Sequence, residues 1–220
     1  MGIKEFFKKG YYINLDRRVD RKETFEKEMD KYGLKDFFER VSAEDGGDNP
    51  DFNIRHAHCS LTYYKLFQRI YDEGHEDVVI FEDDAYFYNN DDYHGFDIVN
   101  LALDELKNFD WDMFYFGGHP GREMEVVSKH LVSCPYILTT HAVAYKRHII
   151  KRVIDQYKPF YDSAIDGWYA HRPEIKKYLV YPLSVPQIQG VSDLDAQGRT
   201  VPVEIFLESF KQTKIIKKLI

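Results

Sequence analysis

Three consecutive carboxylates, Glu82-Asp83-Asp84, follow directly on the run Asp77-Val78-Val79-Ile80-Phe81. A continuous apolar run of this kind reads as a central parallel strand, and open α/β sheets bind their ligands beyond the carboxyl ends of their strands. The triplet therefore sets negative charge where a substrate would lie. If the strand continues through it, alternation puts Glu82 and Asp84 on one face and Asp83 on the other. Carboxylates this close repel, and burying them unpaired costs on the order of several kcal/mol per ion. A divalent cation removes both costs, and hard oxygen ligands select Mg²⁺ or Mn²⁺, which commonly bridge protein carboxylates and substrate phosphates. Glu82 and Asp84 are the expected metal ligands; a solvated acidic turn is the plain alternative.

Other phosphate chemistries lack their motifs. No Walker A pattern occurs, no GxGxxG follows the first strand, and the cluster Gly117-Gly118-His119-Pro120-Gly121 has the wrong spacing. His56, His58 and Cys59 lie close together without a second ligand cluster, which argues for packing over zinc. The net charge of −7, with both signs mixed along the chain, argues against a nucleic-acid binder, which needs a basic footprint. Cys59 and Cys134 sit in apolar-aromatic surroundings and read as buried free thiols of a reducing compartment.

The elements that must position the triplet follow from periodicity. Tyr11 to Leu15 reads as a strand, Arg17 to Tyr32 as an amphipathic helix stopped by Gly33, and Phe38 to Ala43 as a second strand running into an acidic, glycine-rich loop. His56 to Tyr71 is expected to be a largely buried helix. A helix near Phe96 to Leu106 and a strand at Met113 to Phe116 come after the triplet. Val126 to Leu138 reads as strand or hairpin, Tyr145 to Tyr157 and Ala164 to Ala170 as helices, and Lys177 to Tyr181 as a late strand. Strands alternating with helices imply an α/β fold with a mainly parallel central sheet flanked by helices, in a single domain. The opening segment carries no long apolar stretch of the signal-peptide kind, and no run approaches membrane-spanning length, so a cytoplasmic location is expected. The basic segment over about 203–220 reads as a terminal helix, either solvated or in weak contact with a membrane surface.

With these pieces in order, the chain resembles glycosyltransferase family 25, which includes bacterial lipooligosaccharide transferases and collagen galactosyltransferases. Four segments carry the resemblance: Ile13-Asn14-Leu15-Asp16-Arg17-Arg18-Val19-Asp20-Arg21, His58-Cys59-Ser60-Leu61-Thr62, Val79-Ile80-Phe81-Glu82-Asp83-Asp84 as the counterpart of an Asp-x-Asp element, and Trp111-Asp112-Met113-Phe114-Tyr115-Phe116-Gly117. Ala164-Ile165-Asp166-Gly167-Trp168 is similar to a further downstream motif. The chain departs from the family pattern at His58, where glycine is usual, and at Tyr63, where histidine is usual.

The resemblance implies a GT-A-like fold, a UDP-sugar donor, Mn²⁺, and inversion at the anomeric carbon. Galactose is the first guess for the sugar, and a glycan, lipid-linked saccharide or hydroxylysine-type hydroxyl for the acceptor. It assigns the donor to Asn14, Asp16, Arg17, Arg21 and Asp83, with residues of about 10–120 forming the nucleotide-sugar part and about 121–200 the acceptor side. Inversion requires a base opposite the leaving group. Asp166 is the candidate, with Asp162 second and a helix-capping role for Asp166 as the alternative. Two other readings compete: a non-catalytic sugar- or nucleotide-binding module, motivated by His58 and Tyr63, and a metal-dependent phosphodiesterase or pyrophosphatase resting on the clustered acids alone.

Overall fold

The computed structural model describes residues 1–47, 49, 51–121, 123–188, 193, 208 and 214–217. The elements are α1 (Ile3–Phe6), β1 (Gly10–Asn14), α2 (Val19–Lys31), a 3₁₀ turn (Lys35–Phe37), β2 (Phe38–Ser42), α3 (Phe52–Asp72), β3 (Asp77–Glu82) and α4 (Gly95–Leu106). They continue with β4 (Met113–Tyr115), β5 (His119–Pro120), β6 (Glu123–Val126), β7 (Leu131–Ser133), β8 (Ile137–Leu138), β9 (Ala142–Lys146), α5 (Arg147–Gln156), α6 (Ile165–Ala170), β10 (Lys177–Val180) and β11 (Lys214–Lys217).

Nine strands form one sheet in the order β11-β6-β7-β10-β4-β9-β3-β1-β2, and β5 pairs with β8 in a small ribbon. The pairings make the sheet mostly parallel: β7 and β9 run against all the other strands. This is the α/β arrangement the sequence implies. Alternation along the strands separates two cores. Tyr11, Ile13, Val78, Ile80, Val143 and Tyr145 face one way, against Tyr63, Phe67 and Ile70 of α3 and Ile150 of α5. Tyr12, Val79, Phe81, Ala142 and Ala144 face the other, against Phe25 and Met29 of α2 and Val99 and Leu103 of α4. The aliphatic run of β3 is thus covered on both faces, as a continuous apolar strand requires.

Two expectations are corrected. The helix placed over Tyr145 to Tyr157 starts only at Arg147; Ala142–Lys146 is instead the strand β9, inserted antiparallel between β3 and β4. Its small alanines and its Val-Tyr pair fit a strand packed on both sides, a tertiary demand that overrides the helical spacing. The basic terminal helix is not formed at Lys214–Lys217, which pairs with β6 as an edge strand; the two adjacent β-branched isoleucines favour that extended state. The rest of that expected helix, apart from residue 208, lies outside the described residues. Among the described residues, no helix is long and apolar enough to cross a membrane.

Candidate active site

β3 delivers the acidic triplet to the carboxyl edge of the sheet and stops at Glu82. The chain then turns, the Ala85 amide bonding to the Glu82 carbonyl at 3.1 Å, so Asp83 and Asp84 leave strand geometry. Glu82 keeps the β3 alternation and points toward α3. The hydroxyl of the buried Tyr63 lies 2.8 Å from its Oε1, and Thr140 donates to the same oxygen at 3.2 Å. Asp83 turns to the opposite side, where Asn14 Nδ2 donates to it at 2.6 Å. Arg21 of α2 reaches both Asp83 and Asp84 at 3.3 Å, and Gln187 donates to both oxygens of Asp84 at 3.2 Å.

These three carboxyl groups carry more negative charge than their partners offset. Burial, then the neighbouring Asp84, pushes the Glu82 carboxyl up to about 8. Burial raises Asp83 against the pull of Asn14 and Arg21, and raises Asp84 against that of Arg21. A surplus of hard oxygen donors at a strand end is a donor set that suits Mg²⁺ or Mn²⁺. Among the described residues, no group of three or more His, Cys, Asp or Glu side chains has metal-holding geometry. The donor chemistry of Glu82 and Asp84 suits such an ion, while a closed protein ligand cage is not formed among the described residues.

The triplet opens into a cleft with four further walls. Ile13 to Leu15 with Arg17 and Arg21 form one, and the loop Ala43 to Gly47 another. Arg55, Cys59, Thr62 and Tyr63 of α3 form the third, Gln187 and Asp193 the fourth. The donor residues expected from the sequence divide between this cleft and its rim. Asn14 is 2% exposed and relays charge: Arg40 donates to its Oδ1 at 2.8 and 2.9 Å while its Nδ2 bonds to Asp83. Arg17 lines the cleft, bonded to Asp45 at 2.8 Å and to Asp193 at 2.7 Å. Asp16 does not line it; its carboxylate is 73% exposed and turned to Arg40 and Ser42 on β2. Asp193, from a segment with only weak sequence signal, receives Arg17, Arg18 at 2.5 Å and Arg21 at 3.8 Å, so three cations converge on one carboxylate.

Asp166 is outside the cleft lining but adjoins it through two consecutive residues. It accepts from the Thr139 amide at 3.0 Å and from the Gly167 amide at 2.7 Å. The next residue, Thr140, bonds to Glu82. Thr139 has φ of 70°, a left-handed conformation that a β-branched residue adopts only under constraint. Its hydroxyl bonds to His141 Nδ1 at 3.1 Å, and His141 Nε2 bonds to the Val185 carbonyl at 2.8 Å. Since a carbonyl only accepts, His141 carries its proton on Nε2 and accepts the Thr139 hydroxyl. This strained Thr139-Thr140-His141 entry to β9 is a part of the site that the sequence reading missed. Asp162, the second candidate, accepts from the Lys158 amide at 2.6 Å in the loop before α6.

In sequence, the family described as glycosyltransferase family 25 (LPS biosynthesis protein) matches residues 7–118. No curated protein matches the chain. Among solved structures, A197 from STIV is similar at a TM-score of 0.48 and 10% identity, covering 88% of this chain and 92% of its own. A glycosyltransferase involved in glycosylation of the major capsid of PBCV-1 gives 0.42 and 10%, with 78% and 79% covered. A UDP-glucose pyrophosphorylase complexed with UDP-glucose gives 0.46 and 10%, with 93% and 81% covered.

Proposed function

The chain belongs to glycosyltransferase family 25, and from that premise we propose that it moves a sugar from a UDP-sugar donor to an acceptor hydroxyl with inversion, galactose being the first sugar to try. The observation that carries this reading is the under-neutralised carboxylate cluster at the end of β3, opening on the same cleft as Arg17 and Arg21.

Glu82 and Asp84 are the residues that would hold Mn²⁺ or Mg²⁺, and such an ion supplies Lewis-acid stabilisation of the charge that develops on the departing UDP. The chain's own residues do the remaining work. Arg17 and Arg21 face the diphosphate, exchanging carboxylate partners for phosphate oxygens. Asn14 fixes Asp83 and, through Arg40, ties β1 to β2, so the floor of the cleft is preorganised. Tyr63 and Thr140 orient Glu82. Asp166 takes the acceptor hydroxyl's proton, its carboxylate already aimed by the Thr139 and Gly167 amides. Phe160 and the 89%-exposed Tyr161, on the loop leading to α6, give an acceptor sugar two aromatic faces on that side.

The test is to incubate the protein with a panel of UDP-sugars, with and without Mn²⁺, and follow UDP release, with the Glu82→Ala/Asp84→Ala protein as control. Metal-dependent release from one donor supports the reading and names the sugar. A non-catalytic binding module is the second reading, favoured by the Tyr63 contact that already engages Glu82. Donor binding by calorimetry without turnover on any donor would select it.

A further inference from the structure

Arg55 is the fourth residue of α3, on the helical face that it shares with Cys59, Thr62 and Tyr63 and that lines the cleft. It is 7% exposed. Its Nε and Nη2 are both enclosed and have no hydrogen-bond partner among the described residues. A guanidinium stays charged at any accessible pH, so enclosing two of its donors unpaired is among the costliest arrangements a fold can hold. The other cleft arginines are different: Arg17 holds Asp45 and Asp193, and Arg21 holds Asp83 and Asp84. Among the described residues, the two acids flanking Arg55 in the loop and at the helix start are engaged elsewhere. Asp51 caps α3 by accepting from the Asn53 amide, and Asp45 takes Arg17 and the Gly47 amide.

The side chain is also held in place. A Cβ on Gly46 would stand 3.1 Å from Arg55 Cα and 3.2 Å from its Cγ, so the loop after β2 lies directly on the arginine stem. The glycine permits that approach. The edge left without a partner among the described residues is a particular one. Nε and Nη2 form the side-on fork of the guanidinium, whose two parallel N–H bonds match two oxygens of one carboxylate or phosphate. The amino end of the 21-residue helix α3 adds its own positive potential to that spot.

We propose that Arg55 is the docking fork for an oxyanion of the donor, either its diphosphate or a carboxylate on the transferred sugar, and so helps set which nucleotide sugars enter. This deepens the transferase reading and rests on it for the identity of the donor.

The experiment compares wild type, Arg55→Met and Arg55→Lys by calorimetry against inorganic pyrophosphate and against glucuronate, with ligand-free thermal unfolding of each protein and turnover of UDP-sugars in parallel. Arg55→Met is expected to weaken one of the two anions by about 10- to 100-fold, with Arg55→Lys recovering only part because it restores charge without the fork. Loss of pyrophosphate binding assigns the fork to the diphosphate. Loss of glucuronate binding alone assigns it to a sugar carboxylate. Ligand-free Arg55→Met is expected to unfold no lower than wild type, since it leaves no counter-ion behind; a clear drop would mean a structural partner holds the guanidinium, and would overturn the proposal. Equal binding of both anions to wild type and Arg55→Met overturns it too, as does binding of neither anion to wild type, even where UDP-sugar turnover is intact. Arg55-dependent anion binding by a protein that turns over no UDP-sugar upholds the fork and removes the transferase reading.

Discussion

The Tyr63 hydroxyl stands 2.8 Å from Glu82 Oε1 and 2.9 Å from the Thr140 carbonyl oxygen, so one buried phenol joins α3, the end of β3 and the entry to β9. A hydroxyl has one proton and cannot donate to both. Both contacts are satisfied when Glu82 carries a proton and donates it to Tyr63, which in turn donates to Thr140. Burial and the neighbouring Asp84 raise the Glu82 carboxyl, so the metal-free protein holds that proton more readily than an ordinary carboxyl would. Tyr63→Phe removes the junction and leaves the Glu82 carboxyl and the Thr140 carbonyl each short of a partner, at a cost of about 1–3 kcal/mol. Urea unfolding should show that loss, and UDP release should slow by about tenfold. Unchanged stability together with unchanged turnover would show that Tyr63 merely fills space.

Asp84→Asn is expected to separate two effects. Replacing a carboxylate by an isosteric amide relieves the repulsion with Glu82, so the metal-free protein should melt at or above the wild-type midpoint. Metal-dependent UDP release should fall by about 100-fold or more. Full turnover in Asp84→Asn would remove this residue from metal binding.

Asp166→Asn keeps an acceptor for the Thr139 or Gly167 amide but cannot take a proton. Turnover with acceptor should fall by about 10²–10⁴-fold while donor affinity, read by calorimetry, stays within about twofold. A fall in stability with turnover retained would instead assign Asp166 to holding the Thr139 turn and α6.

His141 sets a pH dependence of stability. It is fully buried, and burial lowers its pKa from 6.5 to about 4. The unfolded chain therefore takes up a proton that the folded one refuses. The stability linked to this group is present above pH 6.5 and is lost as pH falls toward 4, by about 3 kcal/mol over the whole window. His141→Asn should be less stable than wild type at pH 7 but show a flatter decline between pH 6.5 and 4. Parallel declines for the two proteins in urea titrations would locate the effect in other groups.

What the sequence disclosed followed from strong local signals. The run Val78 to Phe81 pointed to β3 because a short, wholly apolar run suits a strand packed on both faces, and the acids behind it marked the site. The Phe116-Gly117 end of β4 was legible as a strand end. Its reason for glycine was not: a Cβ on Gly117 would lie 1.6 Å from the Val185 carbonyl oxygen, a contact made with a segment nearly seventy positions away. The missed features share that character. Tyr145 and Lys146, the last two residues of β9, read as the start of a helix because the neighbours that make them strand, β3 and β4, act from outside the local sequence. Asp16 matched the opening motif, yet Arg40 and Ser42 on β2 draw it to the rim. Arg55 carried no motif and became visible only through what surrounds it.

The placement of β9 bears on how the chain can be cut. β3 and β4 fall within the family-matched residues 7–118 but do not touch each other in the sheet; β9, from Ala142 to Lys146, is the strand between them. A fragment ending near residue 118 would leave two apolar strands with open hydrogen-bonding edges, the template for intermolecular pairing. Such a fragment should aggregate when expressed, and in the whole chain the sheet edge that carries the acidic triplet should close late, after a long loop has been brought home. The region by which the family is recognised is therefore shorter than the region that must fold for the site to exist.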